Sequence, residues 1–72
     1  MNTANIGLVA AREKAGLTQK QVATSAKISI VSYQRIEYGK QTPSLHTAIL
    51  IARKVKSTVE KLFGGATPTT PE

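Results

Sequence analysis

Apolar residues recur along the chain at helical intervals, and no segment alternates apolar and polar positions as a strand would. Leu8, Ala11, Arg12 and Ala15 fall on one face of a first helix. A later stripe has the spacing of a core-facing helix and consists of Leu45, Ala48, Ile49, Ala52 and Val55. The pattern therefore predicts an all-α fold.

Capping residues predict where these helices begin. Thr18 and Gln21 have the spacing of a capping box, in which each side chain bonds the backbone N–H of the other residue, and Ser57 and Glu60 repeat that spacing. Ser29 is typical of a single N-cap. Ser44 is another, and Pro43 before it prevents the preceding helix from continuing.

Gly16 and Gly39 are typical C-terminal caps, because glycine readily adopts the left-handed conformation found there. Together the signals predict helices at about 5–15, 18–26, 29–38, 44–54 and 57–63. The chain divides into a helical domain at 1–63 and a tail at 64–72, which we expect to be disordered because it has no apolar residue larger than alanine. Besides the later stripe, the predicted core is Leu8, Leu17, Val22, Ala23, Ala26, Ile28, Tyr33, Ile36, Val59, Leu62 and Phe63.

Composition narrows the class of protein. The chain has 72 residues, ten Lys and Arg against four Glu, a formal net charge of +6 and no cysteine. Such charge on a small domain favours a polyanionic partner, nucleic acid before a membrane surface, although a basic surface kept for solubility is the simpler alternative. The longest apolar run, from Ala48 to Ala52, is too short to span a membrane. We expect a soluble, cytoplasmic protein without disulfides.

No pair of carboxylates, activated nucleophile or metal-ligand cluster is evident, so we expect neither an enzyme nor a cofactor or metal site. His46 has no Cys or Asp partner nearby, which favours an ordinary surface residue. Tyr33 is expected in the core, with its hydroxyl near the surface and within reach of a phosphate.

The second and third predicted helices, joined by a turn at Lys27 and Ile28, have the spacing of a helix-turn-helix. At this point the sequence resembles the Cro/CI-type repressors, the xenobiotic-response-element family of bacterial and phage regulators. The resemblance extends from about residue 6 to 63 and depends on order and spacing. The matching residues are Arg12, Gly16-Leu17-Thr18-Gln19, Val22-Ala23, Ile28-Ser29, Tyr33, Ile36-Glu37, Gly39-Lys40, Pro43-Ser44-Leu45, Ile51-Ala52 and Leu62-Phe63.

The resemblance implies a compact five-helix domain, dimeric in most members, whose third helix reads the major groove of an operator while the second crosses the phosphates. By position, Ile30, Val31, Gln34 and Arg35 would face the groove, and Gln19 would contact a phosphate or base edge. Ser29 and Ser32, at the start of the same helix, are further expected DNA-binding residues. The residue chemistry agrees for Arg35, because a guanidinium can bond guanine O6 and N7 together. Lys20, Lys27 and Lys40 flank that helix and suit phosphate contacts. The resemblance also suggests a buried ion pair between Arg12 and Glu37.

Three features differ from the family pattern or stand apart. Lys27 occupies a turn position where the family commonly has a left-handed glycine. Ile30 and Val31 replace polar side chains, so they either meet thymine methyls or form a docking site for a partner regulatory protein. Leu50 lies opposite the core stripe of its helix, where an ordinary exposed leucine and a dimer contact with Leu62 and Phe63 are both reasonable interpretations.

Overall fold

The computed structural model describes residues 4–64, which form five helices and no strand. The helices are α1 at Ile6–Lys14, α2 at Gln19–Ser25, α3 at Ile30–Glu37, α4 at Leu45–Lys54 and α5 at Val59–Phe63. The predicted all-α class is confirmed. Apart from Gly64, the tail expected at 64–72 lies outside the described residues. No helix of the described part is long and apolar enough to cross a membrane.

Local side-chain bonds explain where most helices begin. Thr18 caps α2 in a full capping box, since its hydroxyl accepts from the N–H of Gln21 and the Gln21 side chain accepts from the N–H of Thr18. Ser29 and Ser44 cap α3 and α4, as predicted. The prediction for α5 was wrong by one residue. Thr58, rather than Ser57, is the cap and accepts from the N–H of Lys61 at 3.1 Å.

That shift removes the second capping box. With Thr58 as the cap, the third helical residue is Lys61, whose ammonium group cannot accept the reciprocal bond that Glu60 was expected to accept. Two neighbouring hydroxyl residues made the start of this helix ambiguous in the sequence.

Four residues after helix ends adopt positive φ. Gly16 and Gly39 do so at 72° and 78°, as expected for C-terminal caps, while Lys27 and Lys56 do so at 61° and 59° despite having a Cβ atom. A left-handed conformation strains a residue with a side chain, so Lys27 and Lys56 are held there by the turns around them. The Lys27 turn joins α2 to α3.

The core lies where the five helices meet, with α2 packed on α3 and α4, and α5 packed on α1 and α4. Leu8, Val22, Tyr33 and Ile51 are fully buried. Leu17, Ile28, Leu50 and Val59 are partly buried and pack against this core. The remaining buried apolar side chains are Ala23, Ala26, Ile36, Ala48, Ala52, Val55, Leu62 and Phe63.

The buried face of α4 differs from the predicted stripe. Leu45 was expected in the core but is 47% exposed, whereas Ile51, absent from the stripe, is fully buried. Because α4 packs against both α2 and α5, its buried face is rotated towards Ile51. Leu50 consequently packs against the core rather than lying on the fully exposed side.

Asn5 fastens the start of the domain to two distant segments. Its side-chain oxygen accepts from the N–H of Leu8, which caps α1. Its amide nitrogen donates to the carbonyl of Leu62 at 2.8 Å, and its backbone N–H donates to the carbonyl of Glu37 at 2.7 Å. One residue thus ties the beginning of α1 to the ends of α3 and α5.

Candidate nucleic-acid interface

α2 and α3 pack closely because Ala23, at their contact, is small and because a backbone hydrogen bond closes the turn that joins them. Ala23 is 2% exposed, and its carbonyl accepts from the N–H of Ile28 at 3.1 Å. Tyr33 and Ile36 anchor the inner side of α3 in the core. The outer side of α3 is therefore left facing solvent.

That outer side combines apolar and cationic groups. Ile30 and Val31, in the first turn of α3, are 40% and 52% exposed. Arg35 is exposed in the last turn and makes no ion pair with another residue between 4 and 64. Its guanidinium is available for a fork-shaped contact with a base edge or a phosphate.

Three lysines lie on segments that adjoin α3. Lys20 lies at the start of α2, Lys27 in the turn before α3, and Lys40 just after it; all three are exposed. Within the described part of the chain the one ion pair joins Arg12 to Glu37, so none of these lysines is neutralised by a carboxylate there. The elements around α3 thus carry unpaired positive charge.

Ser29 and Ser32 are bonded to each other at the start of α3. The Ser29 hydroxyl accepts from the N–H of Ser32 at 3.1 Å. Because capping uses an oxygen lone pair, the hydroxyl hydrogen of Ser29 can still be donated to a ligand. Ser32 is partly buried.

Gln19 and Gln34, expected as separate contacts, are brought together. Nε2 of Gln34 donates to Oε1 of Gln19 at 3.1 Å, and Nε2 of Gln19 donates to Oε1 of Glu37 at 2.9 Å. The connection from Glu37 to Gln19 was missed in the sequence. No local signal could have revealed it, since it joins two helices across the tertiary fold.

Glu37 is almost fully buried and receives donors on both oxygens. Nε of Arg12 lies 2.6 Å from its Oε2, and the two side chains are 13% and 2% exposed. The Tyr33 hydroxyl donates to the same oxygen at 2.6 Å. Another nitrogen of Arg12 donates to the carbonyl of Leu17 at 3.0 Å. The ion pair that the resemblance suggested between Arg12 and Glu37 thus lies inside the fold.

These contacts shift the pKa values of the three groups. Burial opposes ionisation of Glu37, but hydrogen bonds from Arg12, Tyr33 and Gln19 outweigh it and hold its pKa below the usual range. Burial, and then the hydrogen bond to Glu37, raise the pKa of Tyr33. The hydrogen bond to Glu37 raises the pKa of Arg12 despite partial burial. Glu37 is therefore a carboxylate and Tyr33 a neutral donor.

Two expectations need correction. The Tyr33 hydroxyl was expected near the surface and within reach of a phosphate, but Tyr33 is fully buried and bonded to Glu37. Leu62 and Phe63 were predicted both in the core and at a dimer contact; each is 6% exposed, so both lie in the core of their own chain. Leu50 is partly buried in the same core. These three side chains offer little surface to a second subunit.

The described residues contain no group of three or more His, Cys, Asp or Glu side chains placed to hold a metal ion. His46 is exposed at the start of α4. The chemistry of this surface therefore consists of hydrogen-bond donors, positive charge and two apolar side chains.

A protein-family model described as helix-turn-helix, HTH_3, matches residues 8–62, nearly the whole described domain. The chain belongs to the HTH_3 helix-turn-helix family. The resemblance seen in the sequence is thereby confirmed, and the family supports a DNA-binding transcriptional regulator with a non-enzymatic role. No curated protein sequence matches the chain significantly.

Solved structures share the fold at low sequence identity. The restriction-modification controller protein C.AhdI from Aeromonas hydrophila is 23% identical, with a TM-score of 0.70 over 78% of this chain and 85% of that one. The DNA-binding domain of the P22 C2 repressor is 20% identical, with a TM-score of 0.74 over 99% of this chain and 96% of that one.

A larger regulator contains a similar domain. ComR from S. thermophilus, in a complex with DNA and its signalling peptide ComS, is 22% identical, with a TM-score of 0.72 over 93% of this chain. The match covers 23% of the ComR chain, so it concerns one domain of that protein. At these identities the three likenesses establish the fold.

Proposed function

We propose that the chain is a sequence-specific transcriptional repressor that binds double-stranded DNA through α3 and acts by occupying an operator. One observation carries the proposal. The outer side of α3 is exposed and holds Arg35 without a carboxylate partner among residues 4–64, while its inner side is packed into the core. An α-helix presented in this way fits the major groove, which is about 12 Å wide.

The residues around α3 suit different parts of DNA. Arg35 can donate two parallel bonds to guanine O6 and N7. Ile30 and Val31 have no donors and suit thymine methyl groups. The exposed lysines suit phosphates, together with the Ser29 hydroxyl and the partly buried Ser32. The contacts to the DNA backbone set the position of α3, and the contacts to base edges select the sequence.

We further propose that two copies bind together. A two-fold dimer would place the α3 helices about 34 Å apart, on successive major-groove faces, and would require a pseudo-palindromic operator. Because Leu62 and Phe63 are buried, the contact would use the outer faces of α4 and α5, with Leu50 at its edge. The expected place of action is the cytoplasm, on the nucleoid.

Selection of bound sequences from a random pool of duplex DNA tests the proposal. We expect enrichment of one pseudo-palindromic motif. Affinity for that motif should fall linearly on a logarithmic salt scale, with a slope of about −0.9 for each phosphate neutralised. A pool that shows no enrichment after repeated rounds at low salt would exclude sequence-specific binding.

The exposed Ile30 and Val31 support a second candidate, a module that docks on a partner regulatory protein instead of DNA. Ile30→Ala and Val31→Ala separate the candidates, with uracil replacing thymine at each operator position. If these side chains touch thymine methyls, replacing thymine by uracil should lower the operator affinity of the unaltered protein. The same replacement should change the affinity of the variant less. Variants that keep full operator affinity but lose binding to a partner protein would favour the docking module.

A further inference from the structure

A chain of hydrogen bonds runs from the outer part of α3 to a buried carboxylate. Gln34 donates through Nε2 to Gln19, and Gln19 donates through Nε2 to Glu37, at 3.1 Å and 2.9 Å. Gln34 and Gln19 are partly exposed, whereas Glu37 is 1% exposed. Both bonds therefore point inward, from the proposed DNA-binding side to the core.

The direction of these bonds is fixed by chemistry. A carboxylate can only accept hydrogen bonds, so Gln19 must turn its NH₂ group, not its oxygen, towards Glu37. The Gln19 oxygen then faces Gln34, which must in turn present its own NH₂ group. Reversing either amide would bring oxygen against oxygen.

The chain of bonds leaves Gln34 with a defined set of free groups. Its Oε1 receives no donor from the described residues, and one of its two amide hydrogens is unused. An amide that offers an acceptor and a donor matches adenine, which has an amino group at N6 and an acceptor at N7. A freely turning amide could instead offer both of its hydrogens to the acceptors of guanine.

We propose that Glu37 is a positioning residue for base recognition: acting through Gln19, it holds the Gln34 amide in the orientation that selects adenine over guanine. The inference rests on the proposed reading of DNA by α3. A buried group without access to the groove thus determines which base edge the exposed residue accepts. Gln19 acts as the connector, in addition to any contact it makes with a phosphate.

Gln19→Met tests the proposal while preserving the bonds from Arg12 and Tyr33 to Glu37. The base pair to test is the one at which Gln34→Met abolishes the preference for adenine over guanine. Binding affinity is then measured for two operators that carry adenine or guanine at that position. A bidentate contact discriminates by about tenfold to a hundredfold, and we expect Gln19→Met to lose most of that factor. In a Gln34→Met background, Gln19→Met should leave base preference unchanged.

Glu37→Gln tests the origin of the orientation. The new amide can donate to the Gln19 oxygen, which allows both glutamines to turn over, so adenine preference should fall and guanine operators should gain in relative affinity. Circular dichroism checks that the variant is folded. If Glu37→Gln does not fold, the Gln19→Met measurement still tests the inference, because Gln19→Met leaves the buried ion pair between Arg12 and Glu37 intact.

The failures are distinguishable. If the unaltered protein binds DNA with a base preference at Gln34 that survives Gln19→Met, or if Gln19→Met weakens all sequences equally in both backgrounds, Gln19 is a phosphate contact only and this inference is wrong. The inference is also wrong if Gln34→Met leaves the base preference of the protein unchanged at every operator position. If the unaltered protein binds no DNA, the proposed function fails and the inference fails with it.

Discussion

The hydroxyl of Tyr33 and the nitrogen Nε of Arg12 meet on the same oxygen of Glu37, each at 2.6 Å. Tyr33 and Glu37 are one turn apart on α3, while Arg12 comes from α1. The contact therefore fixes both the rotation of α3 and its attachment to α1. The stability of the domain and the presentation of α3 depend on the same carboxylate.

Glu37→Ala should destabilise the domain by about 3–5 kcal/mol, because it leaves the Arg12 guanidinium partly buried without its carboxylate partner. Urea unfolding followed by circular dichroism measures the change. Glu60→Ala is the matched control, since Glu60 is an exposed glutamate without an ion pair among residues 4–64, and it should change stability little. Equal effects of the two substitutions would contradict the prediction.

Stability should also depend on pH through Glu37. Its pKa is lower in the folded chain than the ordinary value of 4.5, so its stabilising contribution is complete above pH 4.5 and is lost as pH falls through the folded-state pKa. The free energy of unfolding, measured between neutral pH and pH 3, should decline less steeply in Glu37→Gln than in the unaltered protein. Parallel profiles for the two proteins would show that another carboxylate is responsible.

Lys27→Gly should change stability and DNA binding in opposite directions. Removing the side chain at φ 61° relieves about 1 kcal/mol of backbone strain, while removing the charge should lower the salt slope of DNA binding by about one. Thermal unfolding and salt-dependent binding isotherms measure the two effects.

Two variants serve as controls for Lys27→Gly. Lys27→Ala should lower the salt slope equally without the gain in stability, because alanine keeps the Cβ atom. Lys56→Gly should give the gain alone, since Lys56 is an exposed residue of the α4–α5 turn, where it lines a pocket with residues of α1 and α5 and not with residues of α3. A lower salt slope for Lys56→Gly would place DNA on another face of the domain.

Arg35→Ala should cost about 1–3 kcal/mol on the preferred operator and relax the requirement at one base pair, because a bidentate contact with guanine is lost. Binding isotherms at fixed salt for single-base operator variants test this. Lys40→Ala is the control and should weaken all sequences alike, since a phosphate contact carries no base information. If Arg35→Ala also weakens all sequences alike, Arg35 is a phosphate contact.

The sequence predicted the helices well because their ends depend on neighbouring residues. The Thr18 capping box, the Ser29 cap and the glycine after α3 each act within a few positions of the chain, so spacing alone was sufficient. The predicted start of α5 was wrong because Ser57 and Thr58 are both suitable caps, and spacing along the chain does not distinguish between them.

Features that depend on tertiary packing were harder to predict. Leu45 was predicted in the core and Ile51 was not, yet Leu45 is exposed and Ile51 fully buried, because α4 is buried by two helices at once. Leu62 and Phe63 were predicted both in the core and at a dimer contact, because periodicity over five residues cannot determine how α5 docks. Of the candidate site, the residues of α3 were named from the family resemblance, with residue chemistry in agreement for Arg35, whereas the bond from Gln19 to Glu37 required the fold.

The contacts of Asn5 make the domain suitable for circular permutation. Its bond to the Leu62 carbonyl holds two positions 57 residues apart in the sequence side by side, which makes the path of the backbone almost a closed ring. A ring of this kind can be opened elsewhere, because packing and not chain order holds the helices. The exposed stretch at Gln41 and Thr42 is the natural place for new termini, with a short linker joining α5 to α1. Such a circular permutant would keep α2, α3 and their turn on one uninterrupted segment.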